Sequence, residues 1–297
     1  MEANWHRHYF SIADHRVGVF FREGQTNDLA LIPSYEPFRT TEEDCVMVME
    51  VDDTLHPVPK KQRSRIRVFD TGNGDTAVDR LEDGGYQFII KDIRGRACCL
   101  LIADKAFSHC RCALNGDGMM RSFGLNSALM LAYAFATGGR QTLLIHASLV
   151  RHQGRGYAFV AKSGTGKSTQ VAMWLRRIPG CDLMNDDNPV VRVIDGEAMI
   201  YGSPWSGKTP CYRQVKAPLG AITQIDRAPA NSVDRLSPLQ ALAILLPSCS
   251  SMKWDKRLHG QVCDTMSEVI GLTPIYMLHC LPNEEAARVC CRAIAKE

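Results

Sequence analysis

The sequence predicts an α/β protein built on a mixed sheet, preceded by a β-rich N-terminal domain. Three observations carry this. First, a short apolar run, Gly156-Tyr157-Ala158-Phe159-Val160, leads through a glycine-rich segment into residues with helical spacing. Second, that run is entered by a tight turn, Gln153-Gly154-Arg155-Gly156, and Asp195-Gly196 marks another turn downstream. Some neighbouring strands are therefore joined by hairpins, which makes them antiparallel. Third, residues 1–120 hold short runs rich in β-branched and aromatic residues, broken by turn signals.

In the N-terminal domain, strands are expected over Tyr9 to Phe21, Cys45 to Val51, Arg65 to Phe69, Tyr86 to Lys91 and Ala97 to Ala103. Thr71-Gly72-Asn73-Gly74-Asp75 and Asp83-Gly84-Gly85 separate them. His109, Cys110 and Cys112 stand close together, but no second pair follows at zinc spacing. No residue here suggests a reaction.

Composition narrows the function classes. With 297 residues and 45% hydrophobic content, the chain can bury a full core and form two domains. A net charge of +3 gives no polyanion footprint, so no nucleic-acid partner is expected. No apolar run reaches the roughly 20 residues a membrane helix needs, so no membrane partner is expected either. The twelve cysteines are scattered, which reads as reduced thiols in a cytoplasmic protein.

The second domain is expected over residues 121–297. A helix from Met119 to Thr137, closed by Gly138-Gly139, leads into it. Thr142 to Val150 reads as one strand, containing His146, and the following turn sends the chain back into Gly156–Val160. Next comes Ala161-Lys162-Ser163-Gly164-Thr165-Gly166-Lys167-Ser168-Thr169. This fits a phosphate-binding loop with Ala161 in place of the first glycine. Gly164 and Gly166 allow the backbone to turn its N–H groups inward at an anion. Lys167 supplies a mobile cation for phosphates, and Ser168 a hydroxyl for a phosphate-bound Mg²⁺. Val171, Trp174, Leu175 and Ile178 mark one face of the next helix, which Pro179-Gly180 ends. The helix dipole adds to anion binding.

Downstream stands Asn185-Asp186-Asp187-Asn188. One carboxylate of such a pair can hold Mg²⁺ and the other can take a proton from an attacking hydroxyl. The same residues also make good turn chemistry. Val190 to Ile194 is an apolar strand, and Asp195-Gly196 with Ala198 to Tyr201 forms a hairpin. Gly202 to Arg213 is an irregular segment. Within it, Trp205, Lys208 and Arg213 are candidates for contact with substrate or transferred phosphate; a surface turn with solvated cations is the plain alternative. Ala217 to Ile225 is a strand. The remainder reads as helical scaffold, with helices started at Ser237-Pro238, marked by Leu258, Val262, Met266, Val269 and Ile270, and capped by Asn283.

The order His146, phosphate loop, Asp186-Asp187 resembles the HPr kinase/phosphorylase catalytic domain and the nucleotide core of phosphoenolpyruvate carboxykinases, over roughly residues 140 to 225. The resemblance implies an HPr kinase-like C-terminal domain of the carboxykinase fold. It implies that Ser163 to Thr169 bind the nucleotide. It further implies that Asp186 is the base, that Asp187 holds the metal with Ser168, and that His146 stands near the phosphoryl group. A strand histidine with one structural hydrogen bond is the alternative for His146. Near Val215 to Gly220 this chain lacks the acid of that family's Glu-Ile-Arg-Gly-Leu-Gly segment, so HPr itself is not the expected acceptor. Decarboxylation is not expected, because no oxaloacetate-type site is recognisable.

Together these readings predict a kinase that uses Mg²⁺ and ATP, or GTP, to phosphorylate a hydroxyl on a protein, peptide or small alcohol. Lys208 or Arg213 would offset charge on the transferred group. A non-catalytic nucleotide sensor is the competing class. A homo-oligomer is compatible with the sequence.

Overall fold

In the computed structural model, which describes residues 4–162, 164–207 and 209–295, the run from Tyr9 to Phe21 is two strands rather than one. β1 (Trp5–Ile12) and β2 (His15–Arg22) pair antiparallel, and Ala13 and Asp14 turn the chain at φ 48° and 59°. Two successive residues with positive φ match the twist of a two-residue hairpin, and neither is a glycine that would have signalled it. β3 (Arg39–Thr40), β4 (Met47–Val51), β5 (Arg63–Asp70), β6 (Asp75–Leu81), β7 (Tyr86–Lys91), β8 (Ala97–Ala103) and β9 (His109–Leu114) complete the sheet. Its order among the described residues is β3-β1-β2-β4-β9-β8-β7-β6-β5. β4 runs parallel to β2 and β9; the other neighbours are antiparallel. β3, β6 and β9 lie outside the strands expected from the sequence. β6 lies between two turn signals, and β9 alternates exposed and buried residues with cysteines in the core positions.

α1 (Gly118–Thr137) packs on β8 and β9 and buries Leu125, Ala128, Leu129, Ala132 and Tyr133. The Tyr133 hydroxyl donates to the Ile12 carbonyl at 3.0 Å. The helix therefore belongs to the first compact unit, Met1–Thr137, and the border falls after it rather than at residue 120.

The second unit, Gly138–Glu297, contains its own mixed sheet. Thr142 to Val150 is again two strands: β10 (Thr142–Leu144) and β11 (Ala147–His152), which pair with different partners. β12 (Arg155–Val160) follows through a turn at Gln153 and Gly154. Then come α2 (Lys167–Arg177), β13 (Asp182–Asp187), β14 (Val190–Ile194), β15 (Glu197–Tyr201), β16 (Lys216–Arg227) and β17 (Ser232–Arg235). α3 (Pro238–Leu245), α4 (Lys256–Leu272), β18 (Ile275–Cys280) and α5 (Glu284–Ile294) end the unit. β17 and β18 stand where only helices were expected; β17 lies just before α3, and β18 between α4 and α5.

Pairing directions decide where the chain's chemistry collects. β12, β16 and β18 are mutually parallel neighbours. β11 is antiparallel to both β12 and β13, so β13 runs in the direction of β12. The C-terminal ends of β12, β13, β16 and β18 and the start of β11 thus share one sheet edge. In open α/β sheets that edge is where ligands bind.

The two faces of this sheet bury separate cores. Ala158 and Val160 of β12 join Leu149, Met184 and Ile222 against Ala241 and Leu245 of α3 and Val262, Met266 and Val269 of α4. Tyr157 and Phe159 point the other way, to Val171 and Trp174 of α2 and Ala286, Cys290 and Ile294 of α5. This alternation is the period of a strand buried on both sides. Trp174 is fully buried, and its truncation to alanine would cost about 3–5 kcal/mol. Leu175, expected on this face, is exposed and Met173 takes the place. Among the described residues no helix is long and apolar enough to cross a membrane, and the twelve cysteines are unpaired.

Candidate functional site

The loop between β12 and α2 turns on two glycines. Gly164 has φ 76° and Gly166 φ 133°, values that side-chain-bearing residues rarely adopt. The Thr165 N–H donates to the Lys162 carbonyl at 3.1 Å, and the Gln170 N–H to Gly166 at 2.9 Å, closing the loop onto the first turn of α2. Arg227, at the end of β16, straps the loop from outside. Its Nη2 donates to the Gly164 carbonyl at 2.6 Å and its Nε to Thr165 at 3.1 Å. Ser168 and Thr169 are exposed at the helix start. Ser163 lies outside the described residues.

Lys167, the first residue of α2, points across the loop mouth. Its Nζ is 2.9 Å from His146 Nε2 and 3.2 Å from the Ala161 carbonyl. An ammonium has only donors, so His146 Nε2 accepts and Nδ1 carries the ring proton. Nδ1 stands 3.1 Å from Asp187 Oδ1. The result is a continuous chain, Lys167–His146–Asp187. Burial pushes the Lys167 ammonium below its usual value, and the nearby charges of Asp187 and Asp186 oppose that. His146 occupies the break between β10 and β11, so it is not the interior strand residue the sequence suggests.

The two acids separate, as neighbours on a strand must. Asp187 faces His146, its side chain about one-third exposed at 34%. Its Oδ2 accepts from Asn188 Nδ2 at 2.7 Å. Its backbone has φ 140°, a region that essentially only glycine occupies, and residues held there store about 1–3 kcal/mol of strain. Asp186 is 4% exposed and turned inward. Its Oδ1 accepts from the Ser148 hydroxyl at 2.6 Å, and its Oδ2 from the Thr209 N–H at 3.3 Å. Its carbonyl accepts from the Gly207 N–H and, at 3.0 Å, from the Ser206 hydroxyl. Asp186, expected to face a substrate hydroxyl, instead ties Ser206, Gly207 and Thr209 to β13.

The remaining expected contacts are drawn away from the loop mouth. Trp205 is buried, and its carbonyl accepts from Asn185 Nδ2 at 3.2 Å in the sheet interior. Arg213 donates to Asp182 Oδ2 at 2.7 Å, beside Arg151, at the far end of β13 from Asp187. Burial raises the Asp182 carboxyl, but hydrogen bonds from Arg151 and Arg213 outweigh it and leave it below the usual range. Gly202 anchors the start of this segment: a Cβ there would stand 2.2 Å from the Arg213 carbonyl oxygen. Lys208 lies outside the described residues. Ser148, which donates to Asp186, and Arg227, which holds the loop, are not among the residues that the sequence singles out. Arg227 reaches the loop because β16 runs parallel to β12 and ends beside it.

This chain is similar in structure to the HPr(Ser) kinase/phosphatase from Coxiella burnetii, with a TM-score of 0.30 and 10% sequence identity, over 51% of this chain and 92% of that one. No family model and no curated protein matches the chain.

Proposed function

We propose that the second unit is an HPr kinase-like phosphotransferase, using a nucleoside triphosphate to phosphorylate a hydroxyl. The observation that carries this is the Lys167–His146–Asp187 chain at the mouth of a glycine-turned loop. A surface turn has no reason to hold its lysine against a histidine oriented by a strained acid.

In this reading the loop N–H groups and Lys167 take the phosphates. As Lys167 turns toward them it leaves His146 Nε2, whose lone pair becomes free to accept a proton. Asp187 keeps the imidazole in the required tautomer, the logic of any oriented histidine base. The bond between the γ-phosphorus and the bridging oxygen breaks, a bond to the acceptor oxygen forms, and the acceptor's proton passes to His146. Asp186, expected as the base, holds Ser148, Ser206, Gly207 and Thr209 in this reading instead. Arg213 and Trp205 support β13 and its neighbouring loop.

Mg²⁺ fits this donor set. An ion carried in on phosphates needs only one or two protein oxygens and keeps several waters. Ser168, exposed beside Lys167, and Asp187 would hold it. Bound there, it would neutralise charge on the β- and γ-oxygens.

The test is incubation of the full chain with γ-labelled ATP and a cell extract, followed by identification of the labelled species by mass. A labelled hydroxyl-bearing acceptor supports the proposal. ATP binding with no labelled product and no hydrolysis would instead favour a non-catalytic nucleotide sensor.

A further inference from the structure

A second group of reactive side chains stands outside the Lys167–His146–Asp187 chain, where the segment before α4 meets the first two turns of that helix. His259 and Cys263 are four residues apart on α4 and share a face. His259 Nδ1 lies 2.7 Å from the Ser251 hydroxyl, and its Nε2 lies 3.9 Å from Cys263 Sγ. Both ring nitrogens are thereby engaged. The segment that carries Ser251 is fixed on either side. Before it, Ile145 and Cys249 form an antiparallel bridge, the His146 N–H donates to the Ser248 carbonyl at 2.7 Å, and the Ser250 N–H donates to Leu144 at 2.9 Å. After it, the Asp255 carboxylate caps α4 by accepting from the Leu258 N–H at 3.0 Å. Ser251, His259 and Cys263 are each half-buried, so the group is open to small solutes.

A thiol is nucleophilic as its thiolate, and an adjacent base that takes its proton activates it. In one tautomer His259 Nε2 accepts from the Cys263 thiol while its Nδ1–H donates to the Ser251 oxygen. Nucleophile, base and orienting group then stand in a row, the arrangement by which activated thiols are recognised. The other cysteines differ. Four of the twelve are half-exposed: Cys45, Cys181, Cys263 and Cys291. Burial and the neighbouring Asp44 push the Cys45 thiol up to about 11. Burial and Asp182 push Cys181 up to about 12, and burial raises Cys291. Among the described residues, Cys263 alone combines access to solvent with an imidazole partner.

We propose that Cys263 is an oxidation site, at which hydrogen peroxide converts the thiol to a sulfenic acid. The Cys263 proton passes to His259 Nε2, the sulfur attacks one peroxide oxygen, and the O–O bond breaks. An S–O bond forms, and the other oxygen takes the proton from His259 and leaves as water. The sulfur loses two electrons and the peroxide gains them. The test is brief exposure of the full chain to hydrogen peroxide with dimedone, which traps sulfenic acids, followed by peptide mapping of the twelve cysteines. Dimedone should appear first at Cys263. A disulfide between Cys263 and Cys249 in place of the adduct also supports the proposal, because a sulfenic acid condenses with a nearby thiol. Cys249 is such a thiol, pushed up to about 12 by burial and by Cys263. First labelling at Cys45, Cys181 or Cys291, or no oxidised cysteine at all, overturns the proposal. His259→Gln keeps a polar side chain but cannot take the proton, and should slow labelling at Cys263 by about tenfold. An unchanged rate in that variant means that exposure alone governs Cys263 and removes His259 from the site. The ranking of cysteines in the unaltered protein decides the matter even if the variant does not fold.

Discussion

Lys167 Nζ lies 2.9 Å from His146 Nε2, so the cation of the phosphate loop already has an imidazole partner in the free protein. Binding phosphate requires that contact to break. Lys167→Ala should therefore weaken nucleotide binding by about 2–4 kcal/mol, the usual cost of removing one partner from a desolvated charge pair. Calorimetry with Mg-ATP checks this, and unchanged affinity would reduce the loop to a turn.

Asp187 combines strain with position. Its φ of 140° is costly for any residue but glycine. Asp187→Gly should raise the stability of the second unit by about 1 kcal/mol or more while lowering phosphoryl transfer and raising the Mg²⁺ requirement. Thermal melting with single-turnover assays reads both. A variant that loses stability would mean that the side-chain contacts of Asp187 outweigh its backbone strain.

Asp186 should behave in the opposite way. Asp186→Ala leaves the buried Ser148 hydroxyl and the Thr209 N–H without their acceptor. A loss of about 1–3 kcal/mol is expected from such orphaned groups. Denaturant unfolding measures it, and a variant as stable as the parent would show that the carboxylate does not tie down the 206–209 segment.

Much of the second unit was legible because its signals are local. Glycines at positive φ, an apolar run before them and a helical face after them specify strand, loop and helix without tertiary information. The division of labour between Asp186 and Asp187 was not legible. Alternation on a strand shows that they face opposite ways, but only the pairing of β13 with β11 shows which one meets His146. The break at Ile145–His146 was hidden for a similar reason. Thr142 to Val150 is uniformly strand-forming, and its division comes from two different partners, β14 and β13, claiming its halves. Trp205, Lys208 and Arg213 looked like a substrate loop because aromatic and cationic residues clustered. Of these, Trp205 is committed to the sheet interior and Arg213 to Asp182.

The first unit carries its own pH dependence. Asp79, 2% exposed, pairs with Arg63 and Arg65 and accepts from Gln87 Nε2 at 3.3 Å. Burial raises its carboxyl, but the hydrogen bonds and charges of Arg65 and Arg63 outweigh it and hold it below the usual value. A depressed carboxyl contributes stability fully present above its unfolded value of about 3.9 and lost as pH falls through the lower folded value. Asp79→Asn should cost about 1–3 kcal/mol at neutral pH, because it weakens the charge-assisted hydrogen bonds of the largely buried Arg63, while the half-exposed Arg65 can turn to water. The variant's stability should then change less than the parent's between pH 4 and 2, a window set roughly by the usual carboxylate value. Melting curves across that range test it.

His146→Ala tests the central assignment most directly, with ATP affinity measured by calorimetry and γ-phosphoryl loss measured in a single turnover. The imidazole competes for Lys167 in the free protein and accepts a proton only during transfer. ATP affinity should therefore stay within a few-fold of the parent, while transfer or hydrolysis falls by about 10²–10⁴, a loss confined to the transition state. A variant that turns over ATP like the parent, or a parent protein that does not bind Mg-ATP, would contradict the Lys167–His146–Asp187 site.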